Sequence, residues 1–168
     1  RENFSDNKTK ATEKLKLFAN ASLIIYCSDH KLIESLILSD NNLRSKDLVD
    51  WSFENSNARI FVKKSSLTEG KTSIQMVYKG VTTDFVVPFS DRASVENAVT
   101  VAAVCLAIGI CPDIISRGLS GLVSVAMRME MKSGINNCQL IEDYYNSDPG
   151  SLGMALEYLM SQAGRKAT

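Results

Sequence analysis

Between residues 141 and 159 the chain reads IEDYYNSDPGSLGMALEYL, and side chains able to do chemistry crowd together there. Glu142 and Asp143 close an apolar run, Tyr144, Tyr145 and Asn146 follow, and Asp148-Pro149 has the form of a helix start. In α/β sheets, ligands gather beyond the carboxyl ends of strands and near helix N-termini, where backbone N–H groups lack partners. A carboxylate at that place, Asp143, suits accepting hydrogen bonds from ribose hydroxyls, and it equally suits capping the turn. Elsewhere the chemistry is thinner. His30 is the single histidine, which alone makes neither a metal cluster nor an evident triad and reads as a helix-start residue near the surface. Lys14 is one of several lysines on a charged helix, and Arg128 reads as a strand-surface charge. Asn97, polar within an apolar helix, needs hydrogen-bond partners. The chain contains no GxxxxGK[ST], GxGxxG, HExxH or GxSxG motif.

The elements that must position these residues follow from periodicity. Ser5 to Phe18 alternates in charge with Ala11, Leu15 and Phe18 at helical spacing, which predicts an amphipathic helix. ASLIIYC, residues 21–27, predicts a buried strand, and HKLIESLIL, residues 30–38, a short helix. NNLRSKDLVDW, residues 41–51, reads mostly as connection. ARIFVKKSSL, KTSIQMVYKG and VTTDFVVPF read as antiparallel strands, with Lys79-Gly80 as the turn between the last two and Pro88 ending the last. Residues 91–109 predict a helix apolar on almost all sides, hence buried, with Gly109 at its C-terminal end. A helix over Pro112 to Leu119, strands in RMEMKSGI and NCQLIEDY, and an amphipathic helix through Leu152, Leu156 and Leu159 complete a mixed α/β pattern.

Composition narrows the classes. Of 168 residues, 45% are apolar, ample for a core, while 19 basic and 19 acidic residues cancel. That balance gives no electrostatic footprint for nucleic acid or an anionic membrane. The four cysteines form no CxxC pair, and three lie in apolar runs, which favours free thiols in a reducing, cytoplasmic setting. AVTVAAVCLAIGI, the longest apolar stretch at 13 residues, is too short to span a bilayer, and no signal peptide is evident.

E-D-Y-Y-N-S-D-P-G-S-L, from Glu142 to Leu152, resembles a signature of the Mur ligase family of peptidoglycan synthesis, D-D-S-Y-N-A-N-P-x-S-(M/L), in its D-alanyl-D-alanine-adding branch. Three more stretches resemble that branch in the same order. In ENFSDNKTKATEKLKLF, Glu2, Phe4, Ala11, Lys14 and Phe18 are in register with H-x-E-x-F-G-S…A-x-x-K-x-x-(I/L)-F. DRASVENAVTVAAVCLAIGI is similar to G-R-H-N-x-x-N-A-x-A-A-A-A-x-x-x-x-G, and RMEM to an Arg-containing strand leading into the C-terminal domain. EKLKLF and LIIYCSDH resemble in particular versions fused ahead of an alanine racemase.

The resemblance implies an α/β fold: the latter part of a central ATPase domain, a mixed sheet with flanking helices, over 1–136, and the first strand and helix of the C-terminal domain over 137–168. It implies ATP-dependent amide formation between UDP-N-acetylmuramoyl-tripeptide and D-Ala-D-Ala, with ATP and Mg²⁺ required, and no nucleic-acid or membrane partner. Pyridoxal phosphate would enter only with a racemase domain, and not in this segment. Lys14 matches a lysine carbamylated by carbon dioxide, whose carbamate oxygen is a ligand for hard Mg²⁺. Arg128 matches an arginine on the nucleotide phosphates, Asp143 the carboxylate that holds the ribose, and Tyr145 and Asn146 line the same cleft. Asn97 matches the second asparagine of the helix motif. Two departures stand out: Ala93-Ser94 replace the His-Asn beside adenine, and Cys27-Ser28-Asp29 replace Asn-x-Asp. The P-loop and a metal-binding histidine would precede Arg1, so the 168 residues alone are expected to fold and to be inactive. The alternative is a binding or scaffold module that kept the fold without the chemistry.

Overall fold

The structure, a computed structural model, describes residues 6–68, 70–123, 130–143 and 149–161. It begins with α1 (Asn7–Leu15), capped by Asp6, whose carboxylate accepts the Thr9 N–H at 2.8 Å and the Thr9 hydroxyl at 3.0 Å. A 3-10 turn (Lys16–Phe18) leads to β1 (Leu23–Cys27), α2 (Lys31–Ser39) and α3 (Asn41–Arg44). Then come β2 (Asp47–Ser52), β3 (Ile60–Thr68), β4 (Lys71–Tyr78) and β5 (Val81–Val87). The rest is α4 (Arg92–Ala107), α5 (Pro112–Ser120), β6 (Glu130–Ser133), β7 (Gln139–Glu142) and α6 (Pro149–Ser161).

Among the described residues the main sheet has five strands in the order β1-β2-β3-β4-β5. The first three run parallel, and the last two add antiparallel, so the sheet is mixed as expected. The β4–β5 link is a two-residue turn in which Lys79 (φ 49°) and Gly80 (φ 76°) both take the left-handed region while Tyr78 pairs with Val81. Positive φ at both central positions matches the right-handed twist of the flanking strands, and glycine takes it without strain.

Strand alternation sends side chains to two layers. Val49, Trp51, Ile60, Val62, Ile74, Met76, Phe85 and Val87 pack with α4 and α5 through Val95, Ala98, Val99, Ile115 and Leu119. On the other face of β1 and β2, Ile24 and Leu48 meet Leu15 of α1, Ile37 of α2 and Leu43 of α3. Helices therefore cover both faces of the parallel half.

Two expectations are corrected. Residues 41–51, read as mostly connection, form α3 and β2, and β2 lies between two parallel partners. Its acids hid it, because they are satisfied from other elements: Asp50 accepts the Ser28 hydroxyl at 3.2 Å and the Arg59 N–H at 3.1 Å, and Asp47 pairs with Arg59 at 3.0 Å. Helix α4 is not enclosed all round either. Its Val95, Ala98, Val99, Ala102 and Ala103 stripe is buried, whereas Val101 is 54% exposed. The expected helix end does hold: the Gly109 N–H (φ 84°) donates to Leu106 at 3.1 Å and the Ile110 N–H to Cys105 at 2.9 Å, closing the last carbonyls in a Schellman pair.

Strands β6 and β7 form a separate antiparallel ribbon, pairing Glu130 with Glu142 across a connection of residues 134–138. Lys132 bridges its two acids, at 2.7 Å to Glu142 and 3.4 Å to Glu130, and the Glu142 hydrogen bond first of all raises the Lys132 pKa. Helix α6 starts with Pro149 in its first turn, with Leu152 and Leu156 exposed. Its Tyr158 hydroxyl lies 3.4 Å from the Ser90 hydroxyl, just ahead of α4.

Candidate functional site at the carboxyl end of β1

Strand β1 ends at Cys27, and Ser28-Asp29-His30 turn the chain into α2. Each residue of that turn is held. The buried Ser28 donates its N–H to the Trp51 carbonyl at 2.9 Å and its hydroxyl to Asp50. Asp29 accepts the Ser52 hydroxyl on one oxygen and the Phe53 N–H on the other at 2.8 Å. Ser52 in turn accepts the Glu54 N–H at 3.0 Å and the Asn55 N–H at 2.7 Å. The carboxylate therefore fixes the loop that leaves β2, with one hydrogen bond accepted on each oxygen.

Beside this turn lies an open groove of about 550 Å³, lined among others by Asn7, Lys10, Lys14, Asp29, His30 and Lys31. Lys14 stands exposed on α1, one turn beyond the buried Ala11 that anchors the helix. Lys31 donates to the Ser28 carbonyl at 2.8 Å and to Glu34 at 3.1 Å. Lysine ammonium groups and the Asp29 carboxylate thus meet at one groove, with Lys31 already paired to Glu34.

Across the turn, the His30 Nε2 meets the Glu96 carboxylate of α4. One ligand atom each from Cys27, His30 and Glu96 lies within 4.8 Å of the others. Burial, first of all, pushes the Cys27 thiol up to about 11. The sequence reading missed this convergence. Cys27 and His30 are neighbours across a strand-to-helix turn, but Glu96 is 66 residues from His30 and nothing local points to it.

The other expected site residues fall in several places. Asn97 is exposed on α4, so its amide is open to water and no interior partner is required, which corrects the expectation that the helix would bury it. Ala93 and Ser94 are half-buried in the first turn of α4, where Asp91 caps the helix by accepting the Ser94 N–H at 2.8 Å. Asp143 is half-buried directly after β7. Neither Asn97 nor Asp143 lines the groove beside Lys14. Arg128, Tyr145 and Asn146 lie outside the described residues, as do Glu2, Phe4 and Asp148.

No family model matches the chain. Over 98 residues it is 29% identical to the UDP-N-acetylmuramoyl-tripeptide–D-alanyl-D-alanine ligase of Bacillus subtilis (strain 168), covering 58% of this chain and 21% of that protein. Over 81 residues it is 31% identical to the ligase of the same name from Escherichia coli (strain K12), covering 48% of this chain and 18% of that protein. The chain thus spans about a fifth of the length of the curated relatives it matches. Among solved structures, the MurF ligase of Thermotoga maritima in complex with ADP superposes with a TM-score of 0.72 at 15% identity, over 95% of this chain and 36% of that one. The chain is similar in sequence to the D-alanyl-D-alanine-adding ligases and has the Mur ligase fold, as residues 142–152 led one to expect.

Proposed function

We propose that this chain is part of an ATP-dependent amide ligase that joins D-Ala-D-Ala to UDP-N-acetylmuramoyl-tripeptide, acting in the cytoplasm. The observation that carries the reading is the sequence similarity to two ligases named for that activity, on a chain with the fold of an ADP-bound ligase. ATP phosphorylates the terminal carboxylate of the tripeptide, and the amine of D-Ala-D-Ala displaces phosphate to form the amide. Residues 1–136 belong on this reading to the nucleotide-binding domain and 137–168 to the next.

Lys14 is the metal-directed residue of the proposal. An ammonium has no lone pair for a hard cation, but a lysine carbamate offers oxygen, and Mg²⁺ needs only one or two protein oxygens beside phosphate and water. The side chain fits that modification: it is exposed and borders the groove at the carboxyl end of β1, which Asp29 also lines. Magnesium, when bound, neutralises developing phosphoryl charge. Asp143 accepts the ribose hydroxyls, Arg128 neutralises phosphate, and Asn97, Tyr145 and Asn146 line the nucleotide cleft. Ala93 and Ser94 reproduce neither an imidazole nor an amide contact, so adenine is held more loosely or by other residues.

The test is ADP release by the protein expressed from its whole open reading frame. Release requiring both UDP-N-acetylmuramoyl-tripeptide and D-Ala-D-Ala is expected, and release indifferent to D-Ala-D-Ala would overturn the proposal. In the same assay Asp143→Ala is expected to raise KM for ATP by roughly 10- to 100-fold, the worth of one charge-assisted hydrogen bond. Unchanged ATP kinetics would remove Asp143 from the site. The 168-residue chain by itself should bind Mg-ATP no more tightly than about millimolar. Its sequence has no glycine-rich GxxxxGK[ST] loop to surround the phosphates with N–H groups. Calorimetry showing micromolar binding would place the phosphate site inside these residues after all.

A further inference from the structure

We propose that Cys27, His30 and Glu96 form a binding site for one divalent transition-metal ion, with Zn²⁺ the ion their donors suit best. The three side chains come from different elements, the end of β1, the start of α2 and the second turn of α4, and converge so that their ligand atoms lie within 4.8 Å of one another. In a tetrahedral zinc site, bonds of roughly 2.0–2.3 Å separate neighbouring donors by roughly 3.3–3.8 Å. To take up an ion, the His30–Glu96 hydrogen bond must open to that separation, while the sulfur already lies within 4.8 Å of both partners. The Asp29 and His30 N–H groups hold the Cys27 sulfur at the turn, and the His30–Glu96 pair lies beside it, so the fold presents all three donors together.

Donor chemistry selects the metal. A thiolate, an imidazole and one carboxylate are too soft and too nitrogen- and sulfur-rich for Mg²⁺ or Ca²⁺, and they match the mixed sets that hold zinc. Three protein ligands leave a fourth position for water, and solvent reaches the cluster at His30, whose side chain is 48% exposed. The frame behind the ligands is stiff. Cys27 is in register with Trp51 of β2, the His30 carbonyl accepts the Glu34 N–H at 3.1 Å, and α4 is seated on the sheet by buried Ala98 and Val99. Binding would transfer the thiol proton to solvent as the sulfur–metal bond forms. The site uses neither Lys14 nor Asp143 and stands or falls apart from the ligase proposal.

The full chain, stripped with a chelator, is titrated with ZnCl₂ in a calorimeter and with CoCl₂ in an absorption cell. One zinc per chain is expected, together with a thiolate-to-cobalt charge-transfer band. Cys27→Ala should abolish the band, and His30→Gln and Glu96→Gln should each weaken zinc binding more than about tenfold, the loss that even an outer partner of a metal ligand can cause. His30 is exposed, so His30→Gln tests the site without disturbing the core in which Cys27 sits. Cys111→Ser and Cys138→Ser, both at exposed positions, should change neither readout. Failure to bind zinc stoichiometrically, full affinity in His30→Gln, or loss of the band in the Cys111 or Cys138 variants would each overturn the proposal.

Discussion

Lys14→Ala in the whole protein is expected to abolish amide ligation, and short-chain carboxylates added to the assay are expected to restore part of it. The expectation rests on the proposed carbamate. If its oxygen helps hold the ion that neutralises phosphoryl charge, removing it costs several kcal/mol of transition-state stabilisation. Each ~1.36 kcal/mol is a factor of ten in rate, so the loss spans orders of magnitude. The structure makes the test clean. Lys14 is exposed, whereas α1 is held by its Asp6 cap and by buried Ala11 and Leu15. An exposed lysine replaced by alanine within a helix changes stability by about 0.5 kcal/mol or less. Lost activity at unchanged melting temperature is then chemistry and not unfolding. A free carboxylate can occupy the space of the deleted side chain and offer the oxygen that alanine lacks. Full activity in Lys14→Ala would show the residue to be one more solvated lysine.

Trp51→Ala is expected to be the most damaging single change to the fold. Trp51 is 1% exposed, packs edge-on against Phe53 with ring centroids 5.5 Å apart, and sits on the strand between two parallel partners. Two terms oppose each other. Emptying a buried tryptophan site costs about 3–5 kcal/mol. Among the described residues the buried indole N–H has no hydrogen-bond partner, so its removal returns about 1–3 kcal/mol of desolvation. The cavity term wins, against a total stability of about 5–15 kcal/mol for an ordinary domain. Trp51→Phe separates the terms, since it removes the N–H and keeps most of the ring. Urea unfolding is expected to place Trp51→Phe much closer to the parent than Trp51→Ala. A Phe variant as unstable as the Ala variant would mean that the indole N–H has a partner after all.

Local rules sufficed for the antiparallel half of the sheet. Alternating β-branched residues on either side of Lys79-Gly80 specify a hairpin, because strand pairing and turn are settled within a few residues of each other. Gly109 and Pro112 likewise marked where α4 stops and α5 begins, since each acts through the conformations open to its own backbone. The resemblance to Mur ligases was also legible, because it lies in ordered strings such as residues 142–152.

Partners distant in the chain decided the rest. Strand β2 looked like a connection because Asp47 and Asp50 interrupt its apolar run, and only Ser28 and Arg59, brought alongside by the parallel sheet, satisfy those acids. Asp29 became a structural carboxylate once β2 laid Ser52 and Phe53 next to it. His30, alone in the sequence, acquired company when α4 packed across the end of β1 and delivered Glu96 to the side of Cys27. Periodicity along a chain records which residues go inside. Which polar groups then meet there depends on how the elements cross, and that is fixed by packing over separations no local pattern carries.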